Sequence, residues 1–332
     1  MNYSSMAYIL GIHMIDEKRL GCITFEDAIA RKVWWEIFTM DSCAAFMLYE
    51  EGNIIDRGLP VMMADAHGHS LGFTLHELNL SHIEPFLLDL DSSWRLLPVM
   101  RLKMSDLLRR AHNLTVMASK STDQASKDKL EPLFLELRMD LAYWSRFASP
   151  NPFISDINQN SIVGGTGLPT SPGDHPSTQA SGVLLFNCAY ILAYCPTLYW
   201  THERITQEKG NEIPDSCGVA AGYLICGIDL ARPENPRGER WHQVLPFFSY
   251  IGCLAYYRLF TAYPHNKEAR ATASSQFELL YLELANSIRY FPVADLFMAK
   301  LRPFRNAINE SFTEFDSSEL VFATSSPSAN MG

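Results

Sequence analysis

The chain has 332 residues, 47% hydrophobic and 19% charged, with a formal net charge of −10. That is enough apolar material for a sizeable core, and it excludes a wholly disordered chain. The acidic balance argues against a nucleic-acid binder, which needs a basic stripe to neutralise phosphates; no basic cluster exceeds a pair, as at Lys18-Arg19, Arg31-Lys32 and Arg109-Arg110.

The first predicted element is a helix over residues 3–13, with Met6, Ile9, Leu10 and His13 at helical spacing and Gly11 near its end. After a polar loop, Thr24 is the predicted N-cap of a second helix reaching about Tyr49, with Glu26 and Asp27 in its first turn. Its expected buried stripe is Ile29, Val33, Ile37, Met40, Ala44 and Met47, widened by Trp34, Phe38 and Ala45. Arg31, Lys32 and Glu36 are expected on its polar side. Trp34 and Trp35 point about 100° apart, so both can be buried only if the helix is covered on two sides. This helix is therefore expected at the centre of the fold.

Residues 52–91 read as irregular connection without strands, punctuated by Gly52, Pro60, Gly68 and Gly72. Helices follow over about 92–117 and 129–147, the second with Pro132 in its first turn. Residues 148–181 hold five prolines and few large apolar side chains, which predicts a flexible linker or insertion. Helices are then expected at about 181–209, 216–231, 239–263, 268–291 and 293–309, with prolines and glycines at their joints. The Ser-rich tail over 311–332 reads as disordered. The expected fold is all-α, a multi-helix bundle with one long disordered loop. Residues 1–147 form its first helical part and residues 182–310 its second.

Two apolar runs bear on membranes. Residues 183–200 carry no formal charge, and residues 244–263 carry only Arg258. The first holds Asn187 and Pro196, runs on into Thr201-His-Glu-Arg204 and lacks a basic anchor on its other side, so a buried core helix is expected, with a membrane span as the alternative. Seven cysteines stand at 22, 43, 188, 195, 217, 226 and 253 without a Cys-x-x-Cys, which fits reduced core residues. The N-terminus has no basic segment followed by a long apolar run, so no signal peptide is read.

No catalytic motif is evident. Asp65, His67, His69, His76, Glu77 and His82 cluster in sequence, but no His-Glu-x-x-His is present, and solvated loop histidines are the expected reading. The Val163-Gly-Gly-Thr-Gly-Leu168 run lacks the Lys-Ser/Thr of a phosphate-binding loop. Glu131, Glu136 and Asp140, and Glu278 and Glu283, read as solvated helix faces. No catalytic residue, metal ligand or cofactor is assigned.

The ordered residues between 6 and 60 carry one further signal. Ala7, Leu10, Gly11 and His13 precede the basic pair Arg31-Lys32, then Trp34-Trp35, Phe38 and Asp41, then Gly52, Ile55 and Pro60. This order and spacing resembles the fungal-specific transcription factor domain, the regulatory middle homology region of zinc binuclear-cluster regulators. Cys195-Pro196 and Tyr290-Phe-Pro-Val-Ala-Asp295 resemble its later segments more loosely. Departures occur where the family usually has a longer basic run before Trp-Trp, Arg in place of Ser42, and Gly-Arg-Pro in place of Gly52-Asn-Ile. The resemblance implies an all-α regulatory domain in the nucleus, not an enzyme, acting through protein partners of the transcription machinery or a small-molecule effector; the oligomeric state is left open, with a homodimer as one option. Because the chain opens near the motif's first helix with no zinc cluster before it, no direct nucleic-acid contact is expected. The alternatives are a biosynthetic enzyme on a helical scaffold and a membrane-associated helical protein, with the cytoplasm as the alternative location.

Overall fold

The computed structural model describes Asp16 and residues 24–48, 61–64, 70–75, 77–79, 81–82, 97–121, 123–148, 176–208, 213–231 and 244–324. Of these residues 82% are helical, and the fold class is all-α. In chain order the elements are α1 (Phe25–Leu48), β1 (Met62–Ala64), β2 (Ser70–Thr74), α2 (Leu97–Lys120), α3 (Gln124–Ala148), α4 (Pro176–Tyr194), α5 (His202–Glu208), α6 (Asp215–Ala231), α7 (Leu245–Ala262), α8 (Lys267–Ser287) and α9 (Val293–Thr324).

The core is built around α7, not α1. Of the 18 residues of α7, 15 are buried, including Phe247, Phe248, Tyr250, Ile251 and Arg258. A helix apolar on every face can only be stable when neighbours cover it all round. Here α8, α6, α9 and α4 surround it. Gly252 lets α8 come close: a Cβ there would stand 2.5 Å from Leu280 Cδ1. Tyr250 stacks on Phe297 of α9 at 4.8 Å between centroids.

On the far side of α4 lie α2 and α3, and α1 packs against α2 and β1. Thr24 caps α1 in a reciprocal box: its backbone N–H and hydroxyl donate to Asp27 Oδ2, both at 2.8 Å, and Asp27 N–H returns a bond to Thr24 Oγ1 at 3.3 Å. The buried stripe of α1 is Arg31, Trp34, Trp35, Phe38, Asp41, Ser42 and Ala45. The sequence placed this stripe about a third of a turn away. Ile29 and Val33 are 46% and 40% exposed, and Arg31 is buried. The two indoles decide the orientation, because together they remove far more surface from water than Ile and Val.

Arginines fasten the helix ends. Arg138 Nε donates to Ala193 O at the end of α4 (3.0 Å), and Arg204 Nη1 donates to Ser119 O at the end of α2 (2.9 Å). Arg258 Nη2 donates to Thr197 O (2.7 Å) and to the Thr197 hydroxyl. At Ser119 and Ala193 these bonds satisfy carbonyls that a helix terminus leaves without an intrahelical donor, and at Thr197 they add to the turn bond from Trp200 N–H. Arg110 joins α2 to α3 through Asp140 (2.5 Å) and Glu136 (3.3 Å), and Arg305 of α9 grips Glu278 of α8 through two bonds of 2.8 Å. These acidic residues bridge helices instead of serving only as solvated faces.

Other differences from the sequence reading have local causes. The region read as strandless contains an antiparallel pair, Met62 opposite Thr74 and Ala64 opposite Ser70, with an irregularity between and Gly72 at φ 79°. Asp123 caps α3 through Ser126 N (2.7 Å), so α3 starts early and Pro132 lies inside it, beyond the first turn. The helix expected over 181–209 is two helices: α4 ends at Tyr194 because Pro196 cannot continue it, and α5 restarts at His202. The helix α9 continues to Thr324, where the sequence reading ended order at residue 310. Among the described residues no helix is long and apolar enough to cross a membrane.

Candidate functional site

Polar or concave chemistry gathers in three places: the surroundings of the α1 motif, the histidine region, and the outer surface of the bundle.

At the motif, Arg31 turns inward. Its Nη2 and Nε stand 2.5 and 2.9 Å from Asp16 Oδ1, with both side chains buried, and Asp16 Oδ2 accepts from Met62 N–H at 2.8 Å. One carboxylate thus joins the segment before α1, α1 itself and β1. Trp35 Nε1 donates to Met62 O at 3.0 Å, so both backbone polar groups of Met62 are held by this motif region. Trp34 is fully enclosed, and Arg109 of α2 lies over the Phe38 ring at 5.0 Å. Asp106 is flanked by Lys103 (3.3 Å) and Arg109 (3.4 Å) within α2. Asp41 is buried and Lys32 exposed. Leu10, Gly11 and Pro60 lie outside the described residues. The site built here is architectural: Arg31 and Asp16 face each other, and Lys103, Asp106 and Arg109 are buried along α2.

In the histidine region, His82 stacks on Phe73 at 4.4 Å, and its Nδ1 accepts from Asn79 N–H at 3.3 Å. Glu77 accepts from Thr74 N–H (2.8 Å) and Thr74 Oγ1 (3.0 Å), bonds that hold its carboxyl below the usual range. Both side chains serve the turn after β2. Among the described residues no three His, Cys, Asp or Glu side chains are grouped as a metal site. Asp65, His67, His69, His76 and the Gly-rich run 163–168 lie outside the described residues.

Cys188, Cys195, Cys217 and Cys253 are buried, and burial pushes each thiol up from its ordinary range; at Cys195 the neighbouring Arg258 pulls the other way, but less. A protonated thiol is a poor nucleophile. Two histidines pair with tyrosines: His112 Nδ1 with Tyr199 OH at 2.9 Å, and His202 Nδ1 with Tyr257 OH at 2.5 Å. Burial raises both phenols, Tyr257 to about 12, so each stays protonated. The ring of His112 packs against Phe46 and Phe247, in a setting that locks helices together.

Among the described residues a trough of about 730 Å³ lies between α6, α7 and α8. Its floor is Tyr256 and Leu259 of α7. One wall is the α6 face carrying Gly218, Val219, Gly222 and Cys226; the other is the α8 face carrying Ala269, Thr272, Ala273 and Gln276. At one end stand Asp215, Tyr263, Asn266 and Glu268, with the Tyr263 hydroxyl donating to Asp215. Small residues at the spacing of successive turns keep the walls low. Cys226, read from its apolar neighbours in sequence as a core residue, is the exposed exception among the described cysteines. The sequence carries the spacing Gly218, Gly222, Cys226, but a helical face lined by small residues reads equally as close helix packing.

Comparison with protein family models, with curated proteins and with solved structures found no match to this chain.

Proposed function

We propose that the chain is a regulatory domain of the fungal transcription-factor kind, without its own nucleic-acid contact, that acts through protein partners or an effector and not through catalysis. The observation that carries this reading is the single inward stripe of α1. Of the motif residues that α1 carries, Arg31, Trp34, Trp35, Phe38 and Asp41 are buried and Lys32 is exposed. A motif spent on internal contacts is what a scaffold helix of a regulatory bundle requires. With Arg31 paired to Asp16, it is not presented to phosphate, and the net charge of −10 opposes phosphate binding over the whole surface. The raised thiols of the four buried cysteines favour the same non-catalytic reading.

The test is a reporter gene with the chain fused to an unrelated DNA-binding domain. Activation or repression above the unfused control is expected. A null result in both directions, with the fusion nuclear and intact by immunoblot, overturns the proposal.

A further inference from the structure

We propose that the trough between α6, α7 and α8 binds a small cationic molecule with a flat apolar body. The site stands on its own geometry and does not rest on the regulatory reading.

Its size comes first. About 730 Å³ lies within the ordinary range for small-molecule sites, roughly 300–1,000 Å³. The room is made by Gly222, where an added Cβ would meet only the Tyr256 hydroxyl, 3.8 Å away. One turn earlier the floor already touches the wall: a Cβ at Gly218 would stand 2.9 Å from Leu259 Cδ1. The α6 wall therefore comes closest to α7 at Gly218, and there is more room at Gly222, where a Cβ would be in ordinary contact with the Tyr256 hydroxyl. Low walls of small residues on either side of Tyr256 and Leu259 suit a planar apolar group better than a branched one.

The charge comes second. Among the described residues, the formally charged side chains lining the trough are two carboxylates, Asp215 and Glu268. The nearest arginine on α8, Arg270, is committed elsewhere: its guanidinium lies over the Phe260 ring at 4.2 Å and donates to Pro264 O at 3.4 Å. The apolar length of the trough thus ends at a negative pole. A ligand that places its rings over Gly222 and a protonated amine toward Asp215 and Glu268 satisfies both halves; the N-termini of α6 and α8 offset only part of these two full charges, so an anionic ligand of the same shape meets net repulsion.

Direct titration tests this with 9-aminoacridine as the flat cation and 8-anilinonaphthalene-1-sulfonate as the apolar anion. The expected result is saturable one-to-one binding of the acridine, with the sulfonate at least about tenfold weaker. Gly222→Leu places a side chain in the open part of the trough and removes a glycine from a helix interior, so it should abolish acridine binding while leaving the melting temperature equal or higher. Asp215→Asn with Glu268→Gln should weaken the acridine roughly three- to fivefold, the range of exposed ion pairs, and erase the preference for the cation. In the unmodified protein, acridine should slow maleimide labelling of Cys226, a readout that needs no variant. The proposal is overturned by absence of acridine binding, by binding that Gly222→Leu leaves intact, by equal binding of the sulfonate, or by a dimer in solution that Gly222→Leu dissociates, which would make the trough an interface between copies.

Discussion

Trp34→Ala should cost the fold about 3–5 kcal/mol. The indole is 0% exposed. Enclosing it removes roughly 200 Å² from water, or up to ~5 kcal/mol by area. An unfolded chain that already hides part of that surface lowers the figure, and the cavity left behind raises it again, which returns the range seen for large aromatic truncations. Set against a total stability of order 5–15 kcal/mol, this is a large fraction. The internal control is one residue away: Val33→Ala on the same turn, with Val33 40% exposed, should cost less than about 1 kcal/mol. Urea unfolding followed by far-UV circular dichroism checks both. With a slope of about 3 kcal/mol/M, Trp34→Ala should move the midpoint down by roughly 1 M or more and Val33→Ala by a few tenths. Equal shifts for the two variants, or a Trp34→Ala midpoint unchanged, would refute the orientation of α1.

Other outcomes follow from the same geometry. Trp35→Phe keeps an aromatic ring but deletes the bond to Met62 O, and should cost about 1–3 kcal/mol, with faster hydrogen exchange confined to the β1–β2 pair. Arg31→Met should cost about 3–5 kcal/mol by leaving Asp16 buried without its counter-charge; adding Asp16→Asn should recover part of that loss, and strictly additive costs in the double-mutant cycle would show that the pair is not coupled. Cys226 should be alkylated quickly at pH 8 while Cys188, Cys195, Cys217 and Cys253 resist until denaturant is added, because burial both shields those thiols and keeps them protonated; peptide mapping by mass spectrometry distinguishes the sites.

The all-α class was legible because apolar residues recur at helical spacing in long segments, and Thr24 was legible as a cap from the acidic turn behind it. The centre of the fold was not. Periodicity and two tryptophans drew attention to α1, whereas α7 has no polar face to set a period, and an all-round apolar helix reads from sequence either as a membrane candidate or as a core. Arg31 was misplaced because a charged residue on a helix is assigned to solvent unless its partner is known, and Asp16 lies in a different segment. The β1–β2 pair is too short to show an alternating pattern, and the extension of α9 is hidden by serines that signal a coil. The trough was illegible for a different reason. Its residues come from three helices separated by up to about sixty positions, and what makes it is the absence of side chains at Gly218 and Gly222.

The most direct test of the regulatory reading is transcript abundance after acute depletion of the chain, measured alongside small-molecule metabolites. A coordinated rise or fall of a defined set of transcripts, preceding any metabolite change, is the predicted result. Unchanged transcripts together with the loss of one chemical step would contradict it and make the chain an enzyme.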